Sequence, residues 1–389
     1  MNRVIEILLS SVRTQVCGQP RAELGCIEPD VLRGVYALSK AHDMAHVVAA
    51  ELEAQGLLTS GDEISEKFRK QQMLAVLRYE RTNYELEEIC RVFEKNGIPH
   101  MPLKGSVLRR FYREPWMRTS SDIDVLVHTD DLERAKTVLC DELEYTRGEP
   151  NGTEYNDSMF SPSGVHLELH YDTIEEGRAV NSNAILARIW EHSSPEEGWS
   201  YRYLTADDMF YFYHVAHTVK HFEESGCGLR FFLDLWILDN LVEYDKELRD
   251  GLLSEGGLLL FADRARRLAA VWFSGAEHDE ITTLMEQYIL SGGIYGGSHN
   301  KMVNDQLKTG GKLGYALSRI FLPYSILKRY FPILERHKWL FPFIQVVRWF
   351  KVLFGGGAKR SVNELKANAN VTDRQSENAV KMLKALGLR

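Results

Sequence analysis

Residues 102–127 read PLKGSVLRRFYREPWMRTSSDIDVLV. The stretch begins at the end of a short strand expected over 98–103, turns at Lys104-Gly105-Ser106, enters a helix over 106–112 and returns as a compact strand over 122–127. On that second strand alternate side chains share a face. Asp122 and Asp124 therefore point one way, and Ile123 and Val125 point into a core. Two carboxylates on one face are costly to keep ionised together, and a cation between them relieves the cost. Hard oxygen ligands on adjacent positions suit Mg²⁺, which takes one or two carboxylates plus phosphate oxygens. At the turn, Gly105 lets the backbone approach a phosphate, and the start of the next helix offers free N–H groups. The Ser106 hydroxyl can bond a β- or γ-phosphate, and Lys104 adds a point charge.

Further along, Val165-His166-Leu167-Glu168-Leu169-His170 alternates apolar and polar residues, which predicts a strand with His166, Glu168 and His170 on one face. It is expected to pair antiparallel with 159–160 around the Ser-Pro-Ser-Gly turn at 161–164. If it also lies beside the Asp-Ile-Asp strand, Glu168 supplies a third carboxylate. Three acids can hold two cations about 4 Å apart, which activate an attacking oxygen and stabilise a leaving pyrophosphate.

This ordered set resembles the nucleotidyltransferase superfamily with the polymerase-β-like core: a Gly-Ser turn (Gly105-Ser106), Asp-x-Asp on a strand (Asp122-Ile123-Asp124), then an acid on a later strand (Glu168). More narrowly it resembles the bacterial uncharacterised nucleotidyltransferases. They share a Leu-Lys-Gly turn, here Leu103-Lys104-Gly105, an arginine before the Asp-x-Asp strand, here Arg118, and a Glu-Leu-His third strand, here Glu168-Leu169-His170. The likeness is specific over 98–172 and looser over about 200–300, where His217, Arg230 and Asp234 fit the helical-domain pattern. Ser120-Ser121 stands where members often carry a glycine.

The resemblance implies that Asp122 and Asp124 ligate metal and that Glu168 completes the site or acts as base. It further implies that Lys104, Gly105, Ser106, Arg118 and Arg230 bind the nucleotide, and that His170 and His217 meet substrate. The implied reaction is Mg²⁺-dependent transfer of a nucleoside monophosphate from an NTP, ATP by default, to an acceptor hydroxyl or phosphate, with Mn²⁺ as the alternative ion. The rival readings are phosphoryl or glycosyl transfer on the same metal site, in a pathway for polysaccharide or peptide modification, and a non-catalytic nucleotide-binding interaction protein. The acceptor, whether small molecule, glycan or peptide, is not legible.

Outward from this segment, the expected class is α+β: a small mixed-sheet core over 98–178, flanked by an N-terminal helical region (1–97), a helical cleft domain (179–300) and a basic aromatic region with a polar tail (301–389). Spacing predicts one long amphipathic helix over 66–96 and helices over 207–220 and 229–242. Arg230 and Asp234, at i and i+4, suit a local ion pair, or Arg230 reaches the nucleotide. His214, His217 and His221 share a helix face expected to line the cleft. The Gly-rich run SGGIYGGS (291–298) lacks the Gly-Lys-Ser/Thr ending of a phosphate loop and reads as a linker or turn.

Composition sets the class. The chain has 389 residues, 44% hydrophobic and 26% charged, as expected of a folded protein rather than a fibrous or disordered one. Its five cysteines, odd in number and without a CxxC pair, argue against a disulfide scaffold and fit a reducing cytoplasm. Glu6 and Arg13 interrupt the N-terminal apolar run, so it does not read as a signal peptide. No run approaches the roughly 20 apolar residues of a membrane span.

Charge is uneven. Residues 312–360 carry ten Lys/Arg and one acid, a net of +9 that leaves −17 for the rest of a chain of net −8. Eleven aromatics lie within 312–354, broken by Pro323, Pro332 and Pro342. The favoured expectation is helices whose aromatics form a core with the N-terminal helices. Peripheral contact with a membrane or lipid-linked acceptor comes second, and single-stranded nucleic acid third.

Overall fold

The N-terminal helices are set by their caps and apolar stripes. In a computed structural model, which describes residues 2–149, 155–173, 181–294, 296–354, 368–369 and 371–388, α1 (Arg3–Gln15) begins where the Asn2 side chain accepts from the Val4 N–H. α2 (Pro29–Ala41) begins with proline at its first position, where a missing N–H costs nothing. α3 (Ala45–Ala54) follows. Asp62 caps α4 (Glu63–Lys95) by accepting from the Ser65 N–H, and the chain leaves it through Gly97 at φ +63°.

The sheet follows. In chain order come β1 (His100–Pro102), α5 (Lys104–Leu108), β2 (Asp122–Val127), α6 (Leu132–Leu143), β3 (Thr146–Arg147), β4 (Asn156–Phe160) and β5 (His166–His170). The spatial order is β1-β2-β5-β4-β3; β2 and β5 are parallel and the other neighbours antiparallel, which makes a mixed sheet. Ile123, Val125, Val127, Leu167 and Leu169 bury one face against Leu86, Ile89 and Phe93 of α4 and Ala135 and Leu139 of α6. That leaves the polar positions of β2 and β5 on the other face. The helix expected over 106–112 differs: α5 starts at Lys104, makes a single turn and tightens into a 3₁₀ turn at Arg109–Phe111.

A helical half closes over that second face. It comprises α7 (Asn183–Leu186), the hairpin β6 (Ser193–Pro195) and β7 (Tyr203–Thr205), α8 (Asp207–Glu224), α9 (Leu229–Leu241), α10 (Lys246–Glu255), α11 (Leu259–Ser274), α12 (Glu280–Leu290) and α13 (Ser298–Thr309). α7–α12 share one apolar core with α1–α3, including Ile7, Val48, Phe232 and Trp272, whereas α13 buries Met302 and Val303 with Tyr315, Val371 and Ala379. Arg13 Nε donates to the Trp272 carbonyl at 2.5 Å. The Gly-rich run is a packed turn. Gly293 and Gly296 bond each other's backbone at 2.9 Å, and the Ile294 N–H donates to the Ala41 carbonyl. Gly296, at φ +75°, stands so close to Ser225 that a Cβ would lie 1.8 Å from its carbonyl oxygen. Tyr295 and the expected boundary at 178 lie outside the described residues.

The C-terminal region corrects one expectation. Its helices α14 (Lys312–Ile320), α15 (Tyr324–Tyr330), α16 (Ile333–Arg336) and α17 (Phe341–Phe354) do not bury their aromatics against the N-terminal helices. Of the eleven aromatics only Tyr315 is buried, whereas Phe321, Tyr330, Trp339, Phe343, Phe350 and Phe354 are more than half exposed. The prolines divide the segment into pieces too short to build a core, and they pack on one another and on α13. The tail, expected to be polar from about 355, lies outside the described residues over 355–367, but it ends in a helix. α18 (Asp373–Ala385) has a capping box between Thr372 and Gln375 and buries Ala379, Met382 and Leu383. Among the described residues no helix is long and apolar enough to cross a membrane.

Candidate active site

The parallel pairing of β2 with β5 sets Asp124 opposite Glu168 and Asp122 opposite His166. Because the strand period is two, Asp122, Asp124, Glu168 and His170 fall on the same face. One candidate ligand atom each from Asp124, Glu168 and His170 lie within 4.8 Å of one another, and the same holds for Asp122, His166 and Glu168. Glu168 belongs to both groups.

The turn before β2 is aimed at these acids. The Leu103 N–H donates to the Asp124 carbonyl at 2.9 Å, which ties the turn to the strand. Lys104 then takes φ +47°, a left-handed conformation that costs a residue with a Cβ roughly 1–2 kcal/mol. It carries its Nζ to 2.8 Å from Asp124 and 3.7 Å from Glu168. Gly105 is needed for space, since a Cβ there would stand 3.1 Å from Ser120 Cβ and 3.6 Å from Arg118 Nη1.

The electrostatics follow from these contacts. Burial alone would raise the Asp124 carboxyl, but the Lys104 ammonium and the His170 Nε2, 2.9 Å away, hold it well below the usual carboxylate range. Glu168 is lowered first by its hydrogen bond to His170, against burial and the Asp124 charge. Asp122 goes the other way: burial, reinforced by Asp124 and Glu168, raises it. Burial and Lys104 oppose a proton on His170, yet its two carboxylate partners outweigh them and raise it. The donors present are those a divalent cation takes, and a protonated amine already stands between two of the acids. The set therefore fits a divalent cation.

The acids open into a cleft of about 390 Å³ between the sheet and helices α8 and α9. Lys104, Gly105, Arg118, His170, His217 and Arg230 line it along with the acids; Ser106 does not. With α5 only one turn long and starting at Lys104, the Ser106 Oγ is buried in the protein and makes no hydrogen bond. The two arginines are engaged elsewhere than expected. Arg118 is spent on Asp234, through Nε at 2.8 Å and Nη2 at 3.0 Å, and on the Thr119 carbonyl through Nη1. Arg230 donates to Asp43 and to the Thr119 carbonyl, both at 3.0 Å. The i, i+4 pair read from sequence is thus replaced by two long-range pairs that fasten the 118–120 loop to α9 and to the N-terminal helices.

On α8, His214 sits 3.6 Å from Asp234 and is pushed down to about 4, burial outweighing the carboxylate. His217 and His221 meet Nε2 to Nε2 at 3.1 Å.

Several cleft residues escaped the sequence reading. Asn156, which donates to Glu168 at 3.2 Å, was missed because β4 was expected to start at 159. Lys220 Nζ lies 3.2 Å from the Tyr155 hydroxyl and 4.9 Å from its ring centre; only proximity in space, not spacing in sequence, pairs them. Asp43, at φ +55°, is not among the residues lining the cleft but holds Arg230, and no motif flagged it.

A family model described as uncharacterised nucleotidyltransferase matches residues 32–274, well over half of the chain. The match takes in Asp43 and α9 as well as the acidic strands. No curated protein and no solved structure matches the chain.

Proposed function

Since the chain belongs to the uncharacterised nucleotidyltransferase family, we propose that it moves a nucleoside monophosphate from an NTP, with ATP first in line, to an acceptor hydroxyl or phosphate and releases pyrophosphate. The observation that carries this reading is the register of β2 with β5, which gathers Asp122, Asp124 and Glu168 at the floor of one cleft. These three residues would hold Mg²⁺ or Mn²⁺, which when bound supplies charge neutralisation to the triphosphate. Lys104 adds a cation beside them. Gly105 keeps the backbone low under the 118–120 loop, and Arg118 and Arg230 hold that loop in place.

In the reaction the acceptor oxygen bonds to the α-phosphorus as the bond to the bridging oxygen of the β-phosphate breaks. The acceptor's proton passes to a carboxylate of this acidic floor, with Glu168 either completing the site or serving as that base. Glu168, held low by His170, completes the acidic floor. The histidine face of α8 and the Lys220–Tyr155 pair form the opposite wall, where the acceptor is selected. The free thiols among the described cysteines suit a cytoplasmic setting.

The test is incubation with Mg²⁺, a cell extract and ATP labelled at either the α- or the γ-phosphate. Label from the α-position in an acceptor is the expected result. Label from the γ-position alone would replace this reading with a phosphoryl transfer, and tight binding without turnover would replace it with a nucleotide-binding module.

A further inference from the structure

α17 is built inside out. Its polar and indole side chains face the protein: Gln345 donates to the Leu322 carbonyl, Arg348 to the Arg319 and Ile320 carbonyls, and the Trp349 indole to Ile320. Its outward stripe is apolar, with Phe343, Val346, Val347, Phe350 and Phe354 at i, i+3, i+4, i+7 and i+11, each between 42% and 81% exposed. α14 repeats the pattern with Leu313, Leu317 and Ile320, and Phe321, which follows it, meets Trp349 edge-on at 5.3 Å, so the end of α14 lies against α17. Among the described residues, 13 of the 22 exposed large hydrophobics fall in 313–354, which is far more than scattered surface leucines explain.

We propose that this face docks on an anionic lipid bilayer, with α17 lying in the plane of the interface. Charge selects the partner. Residues 312–354 carry eight Lys/Arg against Glu335 alone, a net of +7 on a chain of net −8, and Arg336 and Lys338 flank the exposed Trp339. Basic residues beside a phenyl and indole stripe fit acidic headgroups above acyl chains. A helix of 14 residues is about 21 Å long, too short to span the roughly 30 Å hydrocarbon core, so it lies flat.

A second copy of the chain would set two segments of net +7 against each other. Nucleic acid would leave the aliphatic part of the stripe wet. The segment that follows, GGGAKRSVNELKA (355–367), has Val362 and Leu365 as its only large apolar residues, too few to cover the face. The inference does not depend on the reading of the active site.

The test is flotation of the full chain with phosphatidylcholine vesicles, with and without about 30% phosphatidylglycerol, at low salt and at roughly tenfold higher salt. Binding to the anionic vesicles, weakened by salt, is expected. F343S and F350S, both on the outer face, should each lower partitioning roughly tenfold with unchanged circular dichroism. R336E/K338E, which leaves the apolar stripe intact, should lower it by a similar factor. The inference is overturned if the chain does not float with the anionic vesicles, or if it floats equally with neutral ones. It is also overturned if light scattering shows a dimer that F350S dissolves, or if a single-stranded oligonucleotide retains the chain through these same side chains.

Discussion

Replacing Asp234 by asparagine should be among the most damaging single changes outside the apolar core. The carboxylate is 1% exposed and accepts three hydrogen bonds: two from Arg118, itself 7% exposed, and one from the Tyr112 hydroxyl at 2.6 Å. Asparagine keeps the shape and removes the charge, so a buried guanidinium is left without its counter-ion. Two unit charges about 4 Å apart interact by about 4 kcal/mol at the effective dielectric of a protein site, and breaking buried pairs from one side costs about 3–5 kcal/mol. D234N should therefore lose about 3–5 kcal/mol in urea unfolding. Y112F should lose about 1–2 kcal/mol, for one hydrogen bond to a charged acceptor. Replacing both charges with apolar groups of similar volume, R118M/D234L, should recover most of the loss, since the doubly apolar pair strands no charge. The reasoning fails if D234N costs under about 1 kcal/mol at unchanged urea slope, or if the double variant is as unstable as the sum of its parts. It also fails if R118K weakens ATP binding while leaving stability untouched, because Arg118 would then serve the nucleotide rather than the fold.

Three further outcomes follow from the same geometry. E168Q should lower nucleotidyl transfer by roughly 10²- to 10³-fold and weaken Mn²⁺ binding seen by electron paramagnetic resonance; full activity would remove Glu168 from the site. His42 and His100, wholly buried, are each pushed down to about 4 by burial, so in the native state they refuse the proton that an unfolded histidine takes near 6.5. The unfolded chain thus binds more protons between pH 6.5 and 4. Stability is intact above that window and falls with acidification through it, by about 1.4 kcal/mol per pH unit for each histidine; a melting temperature that stays flat from pH 7 to 5 would contradict this. G296A forces a Cβ onto the Ser225 carbonyl at a left-handed position and should cost about 2 kcal/mol or more, whereas G251A, whose Cβ would meet nothing within 4 Å, should be neutral or stabilising in the same melt.

What the sequence disclosed followed the physics of period and proximity. The β2 and β5 acids were legible because alternation places side chains on a face without any knowledge of the rest of the chain, and the pairing of the two strands was the one added assumption. Ser106 was misplaced because whether a hydroxyl at a helix start faces a cleft depends on where the helix begins. That start moved two residues when Lys104 took the left-handed conformation usually left to glycine. The long-range partners of Arg118 and Arg230 were not legible because Asp234 and Asp43 lie 116 and 187 residues away in the chain. The aromatics of 312–354 misled for a different reason. Helical spacing shows that a stripe exists but not whether it faces a core or the solvent, and the stripe on α17 faces out because its polar side found backbone carbonyls to bond.

Lys104 changes the weight of the argument from repulsion. A cation beside paired acids relieves their repulsion, and the chain supplies one of its own: the Lys104 ammonium, 2.8 Å from Asp124 and 3.7 Å from Glu168. Lys104 lies between Asp124 and Glu168, and the same two carboxylates hold His170 toward its charged form, so part of the floor's negative charge is offset within the chain. Repulsion alone therefore no longer demands a metal. What favours one is the donor geometry: Glu168 is shared between two groups of ligand atoms, each within 4.8 Å. The lysine must yield its place for that geometry to be used. Its long flexible stem lets the ammonium move without disturbing the turn that the Leu103–Asp124 backbone bond holds in place.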